Sequence, residues 1–131
     1  MSAINRLITL LVYENIAAAH DFLVDAFGFA PGGIERDGQG IPVHAEVRAG
    51  DAVIWLHRVA PDHQLFSPRG LPGVSGGTYV QVDDVNAHFE RSRSAGATID
   101  SAPRIEAYGM HEYGARDIEG HHWWFGSPVR V

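Results

Sequence analysis

One unit occurs twice in this chain, and the duplication limits the folds open to it. Val12 to Gly28 and Val82 to Gly96 both read as strand exit, polar cap, helix and terminating glycine, and they differ in length by two residues. In the first, Asn15 is placed to cap a helix over Ile16–Phe27, whose residues Ile16, Ala19, Phe22, Leu23, Ala26 and Phe27 form one apolar stripe at helical spacing. In the second, Asp83 or Asp84 is the cap, and Val85, Phe89, Ser92 and Ala95 give a narrower stripe. Gly96 then stands where Gly28 stood. A short strand precedes each helix, Ile4–Val12 or Thr78–Val82. Three strands follow each: around Gly33–Asp37, Pro42–Arg48 and Ala52–Arg58 in one case, and around Ala97–Ile99, His111–Arg116 and His121–Phe125 in the other. The period is about sixty-five residues.

A βαβββ half covers one sheet face with its helix and leaves the other bare, so two halves must bury bare faces together. The fold class is therefore α+β, with two tandem βαβββ modules forming a curved mixed sheet around a cleft. The 131 residues make one domain: module one is 1–58, a linker runs through 59–77, and module two is 78–131. The linker carries Pro61, Pro68 and Pro72 among glycines and has no apolar period, which suits a connection or a lid.

The densest information lies in Tyr108–Phe125. It reads as a hairpin turning at Asp117-Ile118-Glu119-Gly120, with Gly120 supplying a positive φ and Asp117 accepting from the turn's own amides. Alternation along the last strand sends Trp124 to one face and Trp123 and Phe125 to the other. Large aromatics on both faces mark an inner strand.

Charge and composition remove several function classes. The formal net charge is -6 and no Lys/Arg cluster exists, so neither nucleic acid nor an anionic membrane is an expected partner. The absence of Cys excludes disulfides and thiolate nucleophiles. Leu7–Val12 is too short for a membrane span or a signal sequence, so a cytoplasmic protein is expected. There is no Gly-x-Ser-x-Gly elbow, and the glycines at 70, 73, 76 and 77 precede a strand, the wrong order for a phosphate cradle. Asp83-Asp84 is explained by capping.

Paired βαβββ modules, the helix start Val-Tyr-Glu-Asn-Ile-Ala-Ala-Ala-His-Asp-Phe and the Tyr-Val-Gln-Val-Asp-Asp-Val before the second helix resemble the vicinal oxygen chelate superfamily. This is the group of glyoxalases, bleomycin-resistance proteins and extradiol dioxygenases. His44-Ala45-Glu46-Val47 and the Arg116-Asp117-x-x-Gly120-His121 turn are similar to its small bacterial glyoxalase-like branch. The resemblance implies a homodimer and, in the enzymes, a divalent metal held by His, Gln or Glu from four cleft-facing strands. The corresponding positions here are Leu7, Ile54, Thr78 and Trp124. Leu and Ile offer no lone pair, Trp offers only an N–H, and Thr is a weak ligand. The inherited metal site is thus expected to be missing, with no cofactor in its place.

With those side chains the cleft becomes apolar and aromatic, lined by Leu7, Thr9, Ile54, Leu56, Thr78, Val80 and Trp124, with Tyr108, Met110, Leu65 and Phe66 closing over it. Such a cavity suits a small, flat, largely apolar ligand. The alternative is a metal-dependent lyase, isomerase or dioxygenase whose divalent metal ion sits on His44, Glu46, His57 or Glu112. His44 and Glu46 share a strand face, whereas the adjacent His121 and His122 point to opposite faces. His20 and His88 read as solvent-side helix residues. Sequence assigns no catalytic residue.

Overall fold

Two side-chain carboxyl or amide oxygens start the two helices. Asn15 Oδ1 accepts from the Ala18 amide at 3.1 Å, and Asp84 Oδ1 accepts from the Ala87 amide at 3.0 Å. Each satisfies an amide that the first helical turn leaves without a backbone partner. The computed structural model describes residues 2–129. Helices α1 (Ile16–Asp25) and α2 (Val85–Ser94) run ten residues each. Among the described residues no helix is long and apolar enough to cross a membrane. Gly28 and Gly96, with φ of 83° and 94°, follow α1 and α2 in the left-handed conformation that ends helices.

Eight strands accompany the helices: β1 (Thr9–Tyr13), β2 (Ala30–Arg36), β3 (Pro42–Ala49), β4 (Ala52–Arg58), β5 (Gly77–Gln81), β6 (Thr98–Ile105), β7 (Met110–Arg116) and β8 (His122–Pro128). They form two four-stranded sheets of identical order, β1-β4-β3-β2 and β5-β8-β7-β6. In each, the first strand pairs parallel with the last and the other pairs are antiparallel. The fold is α+β, two tandem βαβββ modules. The chain divides into two compact units, one comprising the residues through Val24 with Gly28–Ser67, the other Asp25–Phe27 with the residues from Pro68 on.

Several boundaries differ from the sequence reading. β1 begins at Thr9, and Ile4 and Leu7 before it are 95% and 86% exposed. β6 extends through Pro103 to Ile105, which an edge strand tolerates because one side of its backbone needs no ladder bond. Register shifts break its pairing with β7 around Ser101. A single turn of 3₁₀ helix, Pro61–His63, follows β4.

In unit one, Ala45 and Val47 of β3 pair with Leu56 and Ile54 of β4, and all four are buried. Ile16, Ala19, His20 and Leu23 are the buried positions of α1. In unit two, α2 packs on β6, β7 and β8. The covered sheet face carries Tyr113, Ala115, Trp123 and Phe125, none more than 1% exposed. Phe27 sits among them, its ring centroid 4.7 Å from that of Phe125 and 5.6 Å from that of Trp123.

The hairpin turn between β7 and β8 forms as its sequence requires. Gly120 has φ 99°. Asp117 Oδ1 accepts from the amides of Glu119, Gly120 and His121 at 3.0–3.1 Å, and Oδ2 accepts from Trp123 Nε1 at 3.1 Å. One buried carboxylate thus ties the turn to the core.

Neither His20 nor His88 lies on a solvent side. His20 is 7% exposed, because its spacing from Ile16 and Leu23 puts it on the buried stripe of α1. His88 falls three residues after Val85 and four before Ser92, on the face of α2 that meets Tyr113.

Candidate functional site: the open face of each sheet

Each strand sends alternate side chains to opposite faces, so the buried residues also identify the open ones. In unit two, Trp123 and Phe125 point into the core, which leaves His122, Trp124 and Gly126 on the other face of β8. Tyr79 on β5 pairs with Trp124, and on β7 Gly114 pairs with Trp124 and Glu112 with Gly126. This face is nearly free of bulk beneath its two rings. A Cβ at Gly77 would lie 2.4 Å from Trp124 Cζ3, and one at Gly114 would lie 3.3 Å from Trp124 Nε1. The indole therefore spans from β5 to β7 across glycine backbone. A Cβ at Gly126 would lie 2.1 Å from the Tyr79 hydroxyl. The phenol crosses β8 at that glycine, and its Oη donates to Glu112 Oε1 at 3.3 Å.

Trp124 and Tyr79 form an aromatic floor. Against Trp124 and His122 lies an open groove of about 530 Å³, walled by the arc Pro72–Gly77. The Tyr108 pKa is pushed up to about 12, first by the neighbouring Glu112 carboxylate. Tyr79 is likewise pushed up to about 12, first by burial and then by the Glu112 charge. Both phenols stay protonated across the physiological range. His122 Nδ1 stands 4.0 Å from Asp100 Oδ2, and Asp100 is held by Arg116 at 2.8 Å.

In unit one the corresponding face carries His44 and Glu46 of β3, Trp55 and His57 of β4, and Leu10 of β1. Glu46 pairs directly with Trp55, His44 with His57, and Leu10 with Trp55. Glu46 is already engaged: Arg48 Nε donates to its Oε2 at 2.8 Å and Trp55 Nε1 to its Oε1 at 3.1 Å. The hydrogen bond from Arg48 holds the Glu46 carboxyl below the usual carboxylate range. The His44 and Trp55 rings meet edge to face at 5.5 Å. Glu35 on β2 pairs with His44. A groove of about 500 Å³ is lined by Glu35, Val43, His44, Trp55, His57 and Arg58.

The expected cleft lining is corrected by this geometry at most of its positions. Ile54 and Leu56 are 7% and 0% exposed in the interior of unit one. Thr78 and Val80 pair with Trp123 and Phe125 and share their core-facing side. Thr9 pairs with Ile54, and Leu7 lies before β1. The cause is the two-residue period of a strand: a phase error of one residue moves every side chain to the opposite face. On β4 and β5 the open-face residues are Trp55, His57, Gly77 and Tyr79. Trp124 and Met110 do lie on the open side of their strands, and Tyr108 is 68% exposed just before β7.

The metal-ligating alternative is partly assembled. His44, Glu46 and His57 share one face, while Glu112 belongs to the other unit. Among the described residues no group of three His, Asp or Glu side chains is arranged to hold an ion. Glu46, the carboxylate of that face, is already engaged by Arg48 and Trp55.

Sequence reasoning missed Tyr79, Gly77, Gly114, Gly126 and Glu35. The signal was present in the core assignment of Trp123. Once that residue faces inward, its partner strands are phased, and glycines at alternate positions beside Trp124 announce rings lying flat on backbone.

These features agree with what comparison with other proteins shows. Residues 4–125 match the family described as the Glyoxalase/Bleomycin resistance protein/Dioxygenase superfamily. An uncharacterised protein of Mycobacterium bovis is 32% identical over 123 residues, covering 92% of this chain and 81% of that protein. The crystal structure of TioX from Micromonospora sp. ML1 superposes with a TM-score of 0.76 at 28% identity, covering 95% of this chain and 99% of TioX. TnmS3, described as an antibiotic binding protein from Streptomyces sp. CB03234, gives a TM-score of 0.73 at 21% identity, covering 98% and 100% of the two chains. Duplicated modules, sheet order and matched residues together make this chain a member of the glyoxalase/bleomycin resistance protein/dioxygenase superfamily.

Proposed function

We propose that this protein binds a small, planar, largely apolar or aromatic organic molecule without a resident metal ion, in a sequestration or resistance role. The observation that carries this reading is the Trp124 indole laid over Gly77 and Gly114 on an open sheet face, beside a groove of about 530 Å³. A flat π surface with solvent on its outer side gains by stacking and by area burial when a planar ligand covers it. The likeness to TnmS3, described as antibiotic binding, supports the same reading. Calorimetric titration with planar two- and three-ring compounds tests it. Saturable binding is expected, with loss of at least tenfold in affinity in Trp124→Ala, since a stacked ring contributes about 1–3 kcal/mol. Undiminished affinity in that variant would move the site elsewhere.

The competing reading, a metal-dependent lyase, isomerase or dioxygenase, has the cross-strand pair His44–His57 in its favour. Stoichiometric zinc, nickel, manganese or iron in protein purified without a histidine tag, lost in His44→Ala, would establish it over the first. A homodimer belongs to the proposal, supported by the exposure of Ile4, Leu7 and Ile105. Light scattering that returned a monomer would remove it.

A further inference from the structure

Glu112 has no place in the planar-ligand reading as it stands. It lies on the open face of β7, opposite Gly126, and is only 6% exposed. Tyr79 Oη donates to it at 3.3 Å. A carboxylate can only accept, so the Tyr79 hydrogen points inward to Glu112. The outer side of that phenol oxygen then presents lone pairs alone. Tyr79 is 44% exposed, so a ligand can reach the oxygen.

Charge reinforces this polarity. Arg104 on β6 is the cross-strand partner of Glu112, but its Nε is drawn to Glu106 Oε1 at 2.5 Å. Arg104, Glu106 and Glu112 together leave one negative charge at this end of the face. From Trp124 to this cluster is two residues along the strands, about 7 Å. A group extending from a ring stacked on Trp124 reaches the Tyr79 oxygen over that distance, with the Tyr79 ring beside it.

We propose that the ligand carries a protonated amino group, which the Glu112–Tyr79 pair recognises beside the Trp124 platform. An ammonium supplies the N–H donor that the acceptor-only phenol oxygen requires, sits against ring faces that attract cations, and offsets the carboxylate charge. A neutral or anionic substituent at the same place loses the first and last of these. The proposal rests on the planar-ligand reading above.

Titration calorimetry with naphthylmethylamine, naphthylmethanol and naphthoate at neutral pH tests it. These probes share a planar ring system and differ in the charge of one substituent. The ammonium is expected to bind about tenfold more tightly than the alcohol, and the carboxylate most weakly. Glu112→Gln is expected to bring the amine-to-alcohol ratio close to one. Tyr79→Phe, which keeps the ring over Gly126, is expected to lower the ratio about threefold by removing the acceptor oxygen. Equal affinity for amine and alcohol in the wild-type protein overturns this inference and leaves the planar-ligand reading standing. A ratio untouched by Tyr79→Phe, or by a folded Glu112→Gln, overturns it too. Failure of all three probes to bind removes both.

Discussion

His88 Nδ1 lies 2.6 Å from the Tyr113 hydroxyl, and the opposite ring nitrogen lies 2.7 Å from the Phe27 carbonyl oxygen. A carbonyl only accepts, so Nε2 carries a hydrogen. Burial holds the His88 pKa below its ordinary value, so near neutral pH Nδ1 is bare and accepts from Tyr113. Ser92 Oγ, 2.7 Å from the same hydroxyl and 3.2 Å from the Ala26 carbonyl, completes the link between α2 and the chain beyond α1.

A pH dependence of stability follows. The unfolded chain takes up a proton at His88 near pH 6.5, above the folded value, so stability is complete above that pH and declines as pH falls through the interval to the folded pKa. Thermal melts between about pH 7.5 and 5 should show this loss, and His88→Gln should reduce the slope. An identical slope in the variant would mean that other groups govern the transition.

Asp117 is the second point of stabilisation. Its carboxylate accepts from three turn amides and from the buried Trp123 indole N–H. Asp117→Ala should cost about 3 kcal/mol in urea denaturation, because it strands a buried donor and several amides at once. Asp117→Asn should cost less, since one oxygen remains to accept.

The two adjacent tryptophans should separate stability from binding. Trp123 is fully buried, and Trp123→Ala should cost about 3–5 kcal/mol through the cavity it leaves. Trp124→Ala should cost much less in stability and remove planar-ligand binding. Parallel denaturation and calorimetry on the two variants measure the contrast.

Gly77 tests the aromatic floor without touching an aromatic residue. A Cβ there would meet Trp124 Cζ3 at 2.4 Å and the His122 carbonyl oxygen at 2.9 Å. Gly77→Ala should displace the indole, alter the near-ultraviolet circular dichroism, and weaken planar ligands about tenfold, at a stability cost of about 1–3 kcal/mol. An unchanged near-ultraviolet spectrum would show that the ring does not depend on that glycine.

Much of the fold was legible along the chain because its signals are local. Asn15, Asp84, Gly28, Gly96 and the Asp117–Gly120 turn act within a few residues of themselves, so composition and spacing identify them. The burial of Trp123 and Phe125 followed from alternation within one strand. The candidate site was less legible. Sequence places Ile54, Leu56, Thr78 and Val80 on the open face, whereas they lie on the inner one, because the phase of a strand relative to its sheet depends on neighbours far away in sequence. His20 and His88 differ from their sequence reading for a related reason, since a polar residue on an apolar stripe reads as solvent-facing until its packing partners are known.

Sequence alone therefore determined the duplication, the order of elements, the caps and the tight turn, all of them set by short-range hydrogen bonding and backbone preference. Tertiary structure alone decided which side of each strand stays open. That choice depends on lateral pairing, Tyr79 with Trp124 and Glu112 with Gly126, between residues that no local period connects. It brings an indole, a phenol and a carboxylate onto one glycine-floored face, where the absent Cβ atoms leave room for rings to lie across the strands.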